Sequence, residues 1–457
     1  MKRILFFLST VIVSLGLSAQ NYSNLTARTS PDWFREGVVY QINPRSFSKE
    51  GTLKSIEAQL ERIKDLGANI VYLLPVNLAD ADMDKSMWSP RQIKSGFDSP
   101  RNPYRAGDYF HVDPEYGTDQ DLKDLVNRAH ELGMKVMIDL VFAHCGPSAQ
   151  VVKQHPDYFK QKADGSMDVT QWKFPKFDAN NAATRAYFRT IMAYYVADFN
   201  VDGFRCDVAD AIPLDFWEES RGELDRMNKD LAIVAEGDRK ANTRYAFDAN
   251  YGWAVCGPLR SVLAGKVKEG SEGAAAIRKA HEAVVATHPK GTLLWMMTEN
   301  HDYSSDDYDN RAEKAWGHAS CELGLAFNYA IDGVPFLFCG QEICFDKRVS
   351  IFGHDGCFIN WGVDDKPDYA VDRTEKLKGF ARMRQAYSSL THGETVWIDN
   401  DQPQKVCAFR RTDGVSEDVL FVGNFSAQKV KVKLADGQKY TLDPWGYIFE
   451  AVSADKK

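Results

Sequence analysis

Eight short β-branched or aromatic runs alternate with longer stretches of helical periodicity, and this alternation narrows the fold more than any other feature of the chain. The runs fall at 38–42, 69–74, 135–141, 203–208, 231–235, 245–248, 292–297 and 334–338. Between the first two, Leu53, Ile56, Leu60, Ile63 and Leu66 recur at three-to-four spacing and Gly67 closes the pattern, as expected for an amphipathic helix with a glycine cap. Before the third run, Thr118 with Asp121 three residues on predicts a capped helix start, and Leu132-Gly133 its end. Strands separated by helices demand a parallel sheet, either a doubly wound layer or a closed barrel.

The residues that end the runs decide between these. Asp139 and His144, Arg205 and Asp207, Glu236, Asn300 to Asp302, and Gln341-Glu342 are all polar, and they converge on one face only if the sheet closes. The expected class is therefore α/β, a (β/α)8 TIM barrel over residues 31–385 with its active site at the C-terminal strand ends. Residues 145–178 are polar and too long for a simple loop, so they are expected to form a small inserted subdomain after strand 3. Beyond residue 391 the period shortens to two, with a turn at Ala435-Asp-Gly437, and 391–457 reads as a C-terminal antiparallel β-sandwich domain.

Composition excludes other classes. With 44% hydrophobic and 26% charged residues the chain is neither disordered nor collagen-like. A net charge of −8 with no dense basic stretch speaks against a nucleic-acid partner. Lys2-Arg3 precede an apolar run from Ile4 to Leu17 that ends in Ser18-Ala19, which reads as a signal peptide over 1–19 and predicts an exported protein, periplasmic or secreted. No stretch is apolar for the ~20 residues of a membrane span. The eight cysteines are expected to be mostly free, buried thiols, and the lack of any CxxC pair gives no sign of zinc.

Three acids stand at or just past the ends of apolar runs: Asp207, Glu236 and Asp302. A buried acid is costly unless it is paired, hydrogen-bonded or put to use. Two carboxylates about 5 Å apart across a glycosidic bond give retaining hydrolysis, one attacking the anomeric carbon and the other protonating the leaving oxygen. Arg205 lies two residues before Asp207, so both project to one face of an extended strand, and the guanidinium is expected to keep Asp207 ionised as a nucleophile. Glu236 has no Arg or Lys within two residues, an environment expected to raise its pKa for proton donation.

The sequence resembles the α-amylase family of glycoside hydrolases at several short motifs in the family's order. Asp139-Leu-Val-Phe-Ala-His144, Gly203-Phe-Arg-Cys-Asp207, Ala235-Glu236-Gly and Thr298-Glu-Asn-His-Asp302 look like its four conserved regions, and Val334-Pro-Phe-Leu-Phe-Cys-Gly-Gln-Glu342 its eighth strand. The resemblance implies Asp207 as nucleophile, Glu236 as acid/base and Asp302 as a third acid that grips sugar hydroxyls. It further implies that His144 and His301 hold hydroxyls, Arg205 orients Asp207, Asp139 braces the site from below and Tyr104 stacks on a sugar. The substrate it implies is an α-glucan or oligosaccharide. A transglycosylase or an α-1,6-acting glucosidase uses the same acids, so those alternatives stay open, with a non-catalytic glucan-binding protein more remote.

Departures from the family pattern matter as well. Ala143 stands where relatives carry a calcium-binding Asn, and in Phe174-Pro-Lys-Phe-Asp178 Lys176 stands where they carry an Asp ligand. No metal or other cofactor is therefore expected, with the Lys176 ammonium tying the subdomain to the barrel in place of calcium. Asp210-Ala211 replaces a Lys-His pair after the nucleophile, which puts long-starch specificity in doubt. Trp88, Trp172 and Trp253 are candidates for further sugar stacking. Oligomeric state is not legible.

Overall fold

The computed structural model describes residues 21–266, 271–306, 311–361 and 367–452. Eight parallel strands run in order around a closed barrel: β1 Val39–Ile42, β2 Ile70–Leu73, β3 Lys135–Leu140, β4 Gly203–Cys206, β5 Ala232–Ala235, β6 Ala249–Tyr251, β7 Leu293–Met296 and β8 Val334–Phe338. Closure is made by β1 against β8, where Val39 faces Phe336 and Gln41 faces Phe338. A doubly wound sheet has no such pair. Nearly every strand residue is buried, because side chains on one face fill the barrel and those on the other pack under the helices.

The capping box of Thr118 and Asp121 forms as the sequence predicts and starts the helix Asp119–Glu131, with Gly133 just beyond it in the left-handed region. The helical pattern from Leu53 to Leu66 folds as two pieces, Leu53–Glu57 and Leu60–Asp65, because the first turns tightly at Ala58. The sixth strand is a correction. Residues 245–248 do not form it; Tyr245 ends a short helix, Asn242–Tyr245, and the strand is Ala249–Tyr251. The Asp248 carboxylate is held by Arg221 and by the Ile233 N–H, so this segment turns the chain into the barrel instead of extending it.

Register brings the polar strand ends together. Asp139 on β3 sits opposite Arg205 on β4, and Cys206 sits opposite Ala235 on β5. The next residues, Asp207 and Glu236, thus leave neighbouring strands side by side. Gly203 at the start of β4 lies so close to β5 that a Cβ there would stand 2.1 Å from the Ala232 carbonyl oxygen.

The segment 145–178 leaves the barrel after β3 and folds back on itself through bridges pairing Phe159 with Phe177 and Val169 with Pro175. Its backbone also pairs with the barrel side, His144 with Lys176. The ammonium of Lys176, expected to reach the barrel, instead pairs with Asp168 of the same segment at 3.0 Å. Side-chain ties come from the loop after β2: Asp80 accepts from the Ser148 N–H at 2.8 Å, and Lys173 donates to the Ser86 carbonyl at 3.1 Å. Gly146 lies against Asp80, where a Cβ would stand 2.4 Å from the acid's own.

Six further strands complete the chain: β9 Glu394–Trp397, β10 Val406–Thr412, β11 Asp418–Asn424, β12 Val430–Lys433, β13 Lys439–Leu442 and β14 Tyr447–Val452. They form an antiparallel four-stranded sheet, β14-β11-β10-β9, and the hairpin β12-β13. Alternation assigns the two faces of β10 and β11. Val406, Ala408, Leu420 and Val422 pack against Val430, Val432 and Leu442 of the hairpin. Phe409 and Phe421 point the other way, each with its ring centre 5.8 Å from that of Phe327 on the barrel helix His318–Ala330. Among the described residues no helix is long and apolar enough to cross a membrane.

Candidate active site

One buried guanidinium organises the C-terminal mouth of the barrel. Arg205 donates through one terminal nitrogen to both oxygens of Asp139, each at 2.8 Å, and to Asp207 at 2.9 Å. Its other terminal nitrogen lies 3.0 Å from Glu236, and its Nε donates to the Tyr251 hydroxyl at 3.0 Å. Arg205 is fully buried, so its charge sits in a medium of low polarisability and is offset by the carboxylates of Asp139, Asp207 and Glu236 together. Glu236 is held at its second oxygen by the Val208 N–H at 2.7 Å. That bond needs Val208 in the left-handed region at φ 41°, a conformation a β-branched residue rarely adopts and one that costs on the order of 1–3 kcal/mol.

The expected sugar-binding residues gather on the same cleft. Tyr104, His144, His301, Asp207, Glu236 and Asp302 all line it, as do Trp172 and Phe174 of the inserted segment. Tyr104 is anchored as well as exposed to the cleft. Its hydroxyl bonds Asp139 and the His301 ring, each at 2.8 Å, and its ring stacks on that of His301 at 5.2 Å. Burial pushes the His144 and His301 imidazoles down to about 4, so both are neutral near pH 7. Among the described residues the buried Nδ1 of His144 has no hydrogen-bond partner, while Nε2 meets the Tyr104 carbonyl at 3.1 Å.

Glu236 is raised as the sequence predicts, whereas Asp207 departs from expectation. Burial pushes the Asp207 carboxyl well above the usual range, and Arg205 only partly offsets this while Glu236 adds to it. Burial raises Glu236 too, against Arg205. The reading that Glu236 lacks a nearby cation fails because Arg205 reaches it across the β4–β5 boundary. Burial also acts on Asp302, but His301, Arg91 and Arg205 outweigh it and hold that carboxyl below its ordinary value.

Several residues of the site escaped the sequence. Gln41 on β1 takes the His301 ring through its side-chain N–H at 2.9 Å and accepts the His301 backbone N–H at 3.1 Å. The Tyr72 hydroxyl donates to Asp139 at 2.6 Å. Arg91, from the loop after β2, donates to Asp302 at 3.0 Å. Asp210, singled out as a departure, accepts the N–H groups of Asp238 and Arg239 and the Asn242 side chain, so it braces the loop that follows Glu236. A barrel interior hides such partners, since each contact joins strands distant in sequence. Of the three tryptophans, Trp172 lines the cleft, whereas Trp88 is buried with its indole N–H on the Asp82 carbonyl. Trp253 packs edge-on against Tyr251 and Tyr303 instead.

Three carboxylates, Asp207, Glu236 and Asp302, thus gather at the open end of a parallel barrel, two of them sharing one guanidinium. Residues 29–180 match the family model described as the α-amylase catalytic domain. A cyclomaltodextrinase of Geobacillus thermopakistaniensis is 24% identical, covering 93% of this chain and 78% of its own length. An intracellular maltogenic amylase of Bacillus subtilis is 25% identical over 84% of this chain and 67% of its own. The crystal structure of a noncanonic maltogenic α-amylase from Thermotoga neapolitana superposes with a TM-score of 0.75 at 25% identity, over 91% of this chain and 97% of that one. The chain is accordingly an α-amylase-like glycoside hydrolase.

The relatives also correct one expectation. The Bacillus subtilis enzyme is intracellular, which overturns the reading of an exported, periplasmic or secreted protein. That reading rested on residues 1–19, which lie outside the described residues. The eight cysteines are all buried and free, as the sequence predicts for most of them.

Proposed function

We propose that this enzyme cleaves α-glucosidic bonds of malto-oligosaccharides or related α-glucans with retention, through a glycosyl intermediate on Asp207. The observation that carries the reading is the shared clamp: one guanidinium holds Asp207 at 2.9 Å and Glu236 at 3.0 Å. Such a clamp suits the ~5 Å separation of a retaining pair and leaves little room for the water that an inverting pair, ~6.5–9.5 Å apart, must hold.

In the proposed cycle Asp207 attacks the anomeric carbon while Glu236 gives its proton to the leaving glycosidic oxygen. Glu236 then takes a proton from the incoming water, which attacks the same carbon and releases Asp207. Asp302, its carboxyl held low with the help of the Arg91 and Arg205 charges, accepts hydrogen bonds from ring hydroxyls. His144 offers its free Nδ1 to a further hydroxyl as a neutral ring. Asp139, bonded by Arg205, Tyr72 and Tyr104, fixes the guanidinium from below. The test is product analysis after incubation with maltoheptaose, pullulan, isomaltose and sucrose. Release of glucose or short maltosaccharides from at least one is expected, and no release from any contradicts the reading.

The cleft is further proposed to work without calcium. Ala143 offers no side-chain ligand at the position relatives use, and Lys176 places a cation, paired with Asp168, where they hold an acid. Millimolar calcium added to metal-stripped protein should leave both the melting temperature and the rate on maltoheptaose unchanged. A clear rise in either overturns this part.

A further inference from the structure

Away from the cleft, three side chains of different chemistry meet where the loop after β8 passes under the outer helices. The Glu313 carboxylate, the His318 ring and the Cys344 thiol place one ligand atom each within 4.8 Å of one another. His318 Nδ1 lies 2.8 Å from Glu313 Oε2. The other Glu313 oxygen accepts from Arg373 at 2.6 Å, and Arg373 also donates to the His318 carbonyl at 2.6 Å. The His318 ring is stacked on Tyr369 at 3.9 Å, which fixes its plane. Cys344 sits in the left-handed region at φ 54°, with its sulfur 4.0 Å from the Tyr369 carbonyl oxygen. None of the three lines the catalytic cleft.

We propose that Glu313, His318 and Cys344 form a structural site for a zinc-like divalent ion that fastens the loop after β8 to the helices Ala312–Trp316 and His318–Ala330. A carboxylate, an imidazole and a thiolate together suit zinc and disfavour calcium or magnesium, which take oxygen ligands. Arg373 on the far oxygen of Glu313 is the kind of outer partner that orients a ligating carboxylate. Glu313 and Cys344 are buried while the His318 side chain is two-fifths exposed, which gives the ion a way in and a water a fourth position. Binding releases the Cys344 proton to solvent, and His318 moves its proton from Nδ1 to Nε2 so that the lone pair faces the metal. Without metal, burial pushes the Cys344 thiol up to about 12, so it is no reactive cysteine. The pattern is invisible to a search for CxxC spacing because the ligands come from positions 313, 318 and 344.

The test uses the full chain, metal-stripped and reduced. Titration with Co(II) should give a thiolate-to-metal charge-transfer band that saturates at one equivalent and is displaced by Zn(II), and Zn(II) should raise the melting temperature. Cys344→Ser should abolish the band. His318→Ala, at a partly exposed position, should weaken Zn(II) affinity by about tenfold or more. Cys357→Ser should keep the band, as should His392→Ala, which disarms an exposed trio of Asp32, Glu36 and His392. If the wild type shows no band, or Cys344→Ser retains it, the proposal is wrong. Should Cys344→Ser fail to fold, an unchanged Zn(II) affinity in His318→Ala overturns it alone.

Discussion

Replacing Asp207 by Asn should lower turnover on maltoheptaose by on the order of 10⁴-fold or more, the scale at which hydrolases lose a covalent nucleophile. The amide keeps the shape and still accepts from Arg205, so the site remains built while the attacking oxygen is gone. Folding should not suffer. Burial raises the Asp207 carboxyl in the folded chain, so relative to the unfolded chain its charged form is disfavoured. Its contribution to stability is therefore favourable only at low pH and is lost as pH rises through the raised folded pKa. At pH 7 a neutral Asn removes that penalty, and the melting temperature should stay level or rise. Calorimetry beside the assay separates lost chemistry from lost structure, and a variant that keeps wild-type turnover removes Asp207 from its role.

Glu236→Gln is expected to cost about 10²–10⁴-fold on a natural glucan, the range for loss of a general acid. The loss should shrink sharply for an α-glucoside whose leaving group is a nitrophenolate or fluoride, which departs without a proton. The pH profile carries a second signature. Both carboxyls are raised by burial, so the acid limb of kcat/KM for the wild type should lie above the ordinary carboxylate range. The two limbs belong to the pair, and the basic limb records loss of the last shared proton. In Glu236→Gln that basic limb should vanish. If the deficit is equal for good and poor leaving groups, Glu236 is not the acid.

Strand order, the inserted segment and the terminal sheets are legible because hydrophobic period and capping are local signals, as Thr118 with Asp121 shows. The acids are legible because each stands at or just past the end of an apolar run. What escaped is non-local or irregular. β6 is three residues long with Asn250 at its centre, so no alternation marks it. Gln41 and His301 are 260 positions apart and meet because the barrel closes. Lys176 reads as a bridge in sequence but finds a nearer carboxylate in Asp168, leaving Asp80 and Lys173 to join the inserted segment to the loop after β2. The raised carboxyl of Asp207 is illegible for the same reason: a neighbouring arginine is visible along a strand, while burial and the sharing of that arginine with Glu236 are not.

The central claim is that Asp207 and Glu236 work as a close pair through a covalent glycosyl intermediate. Proton NMR of the first products from maltoheptaose, recorded before mutarotation, tests it directly. The account predicts the α-anomer as the initial product, drifting to the equilibrium mixture; initial release of the β-anomer would contradict it.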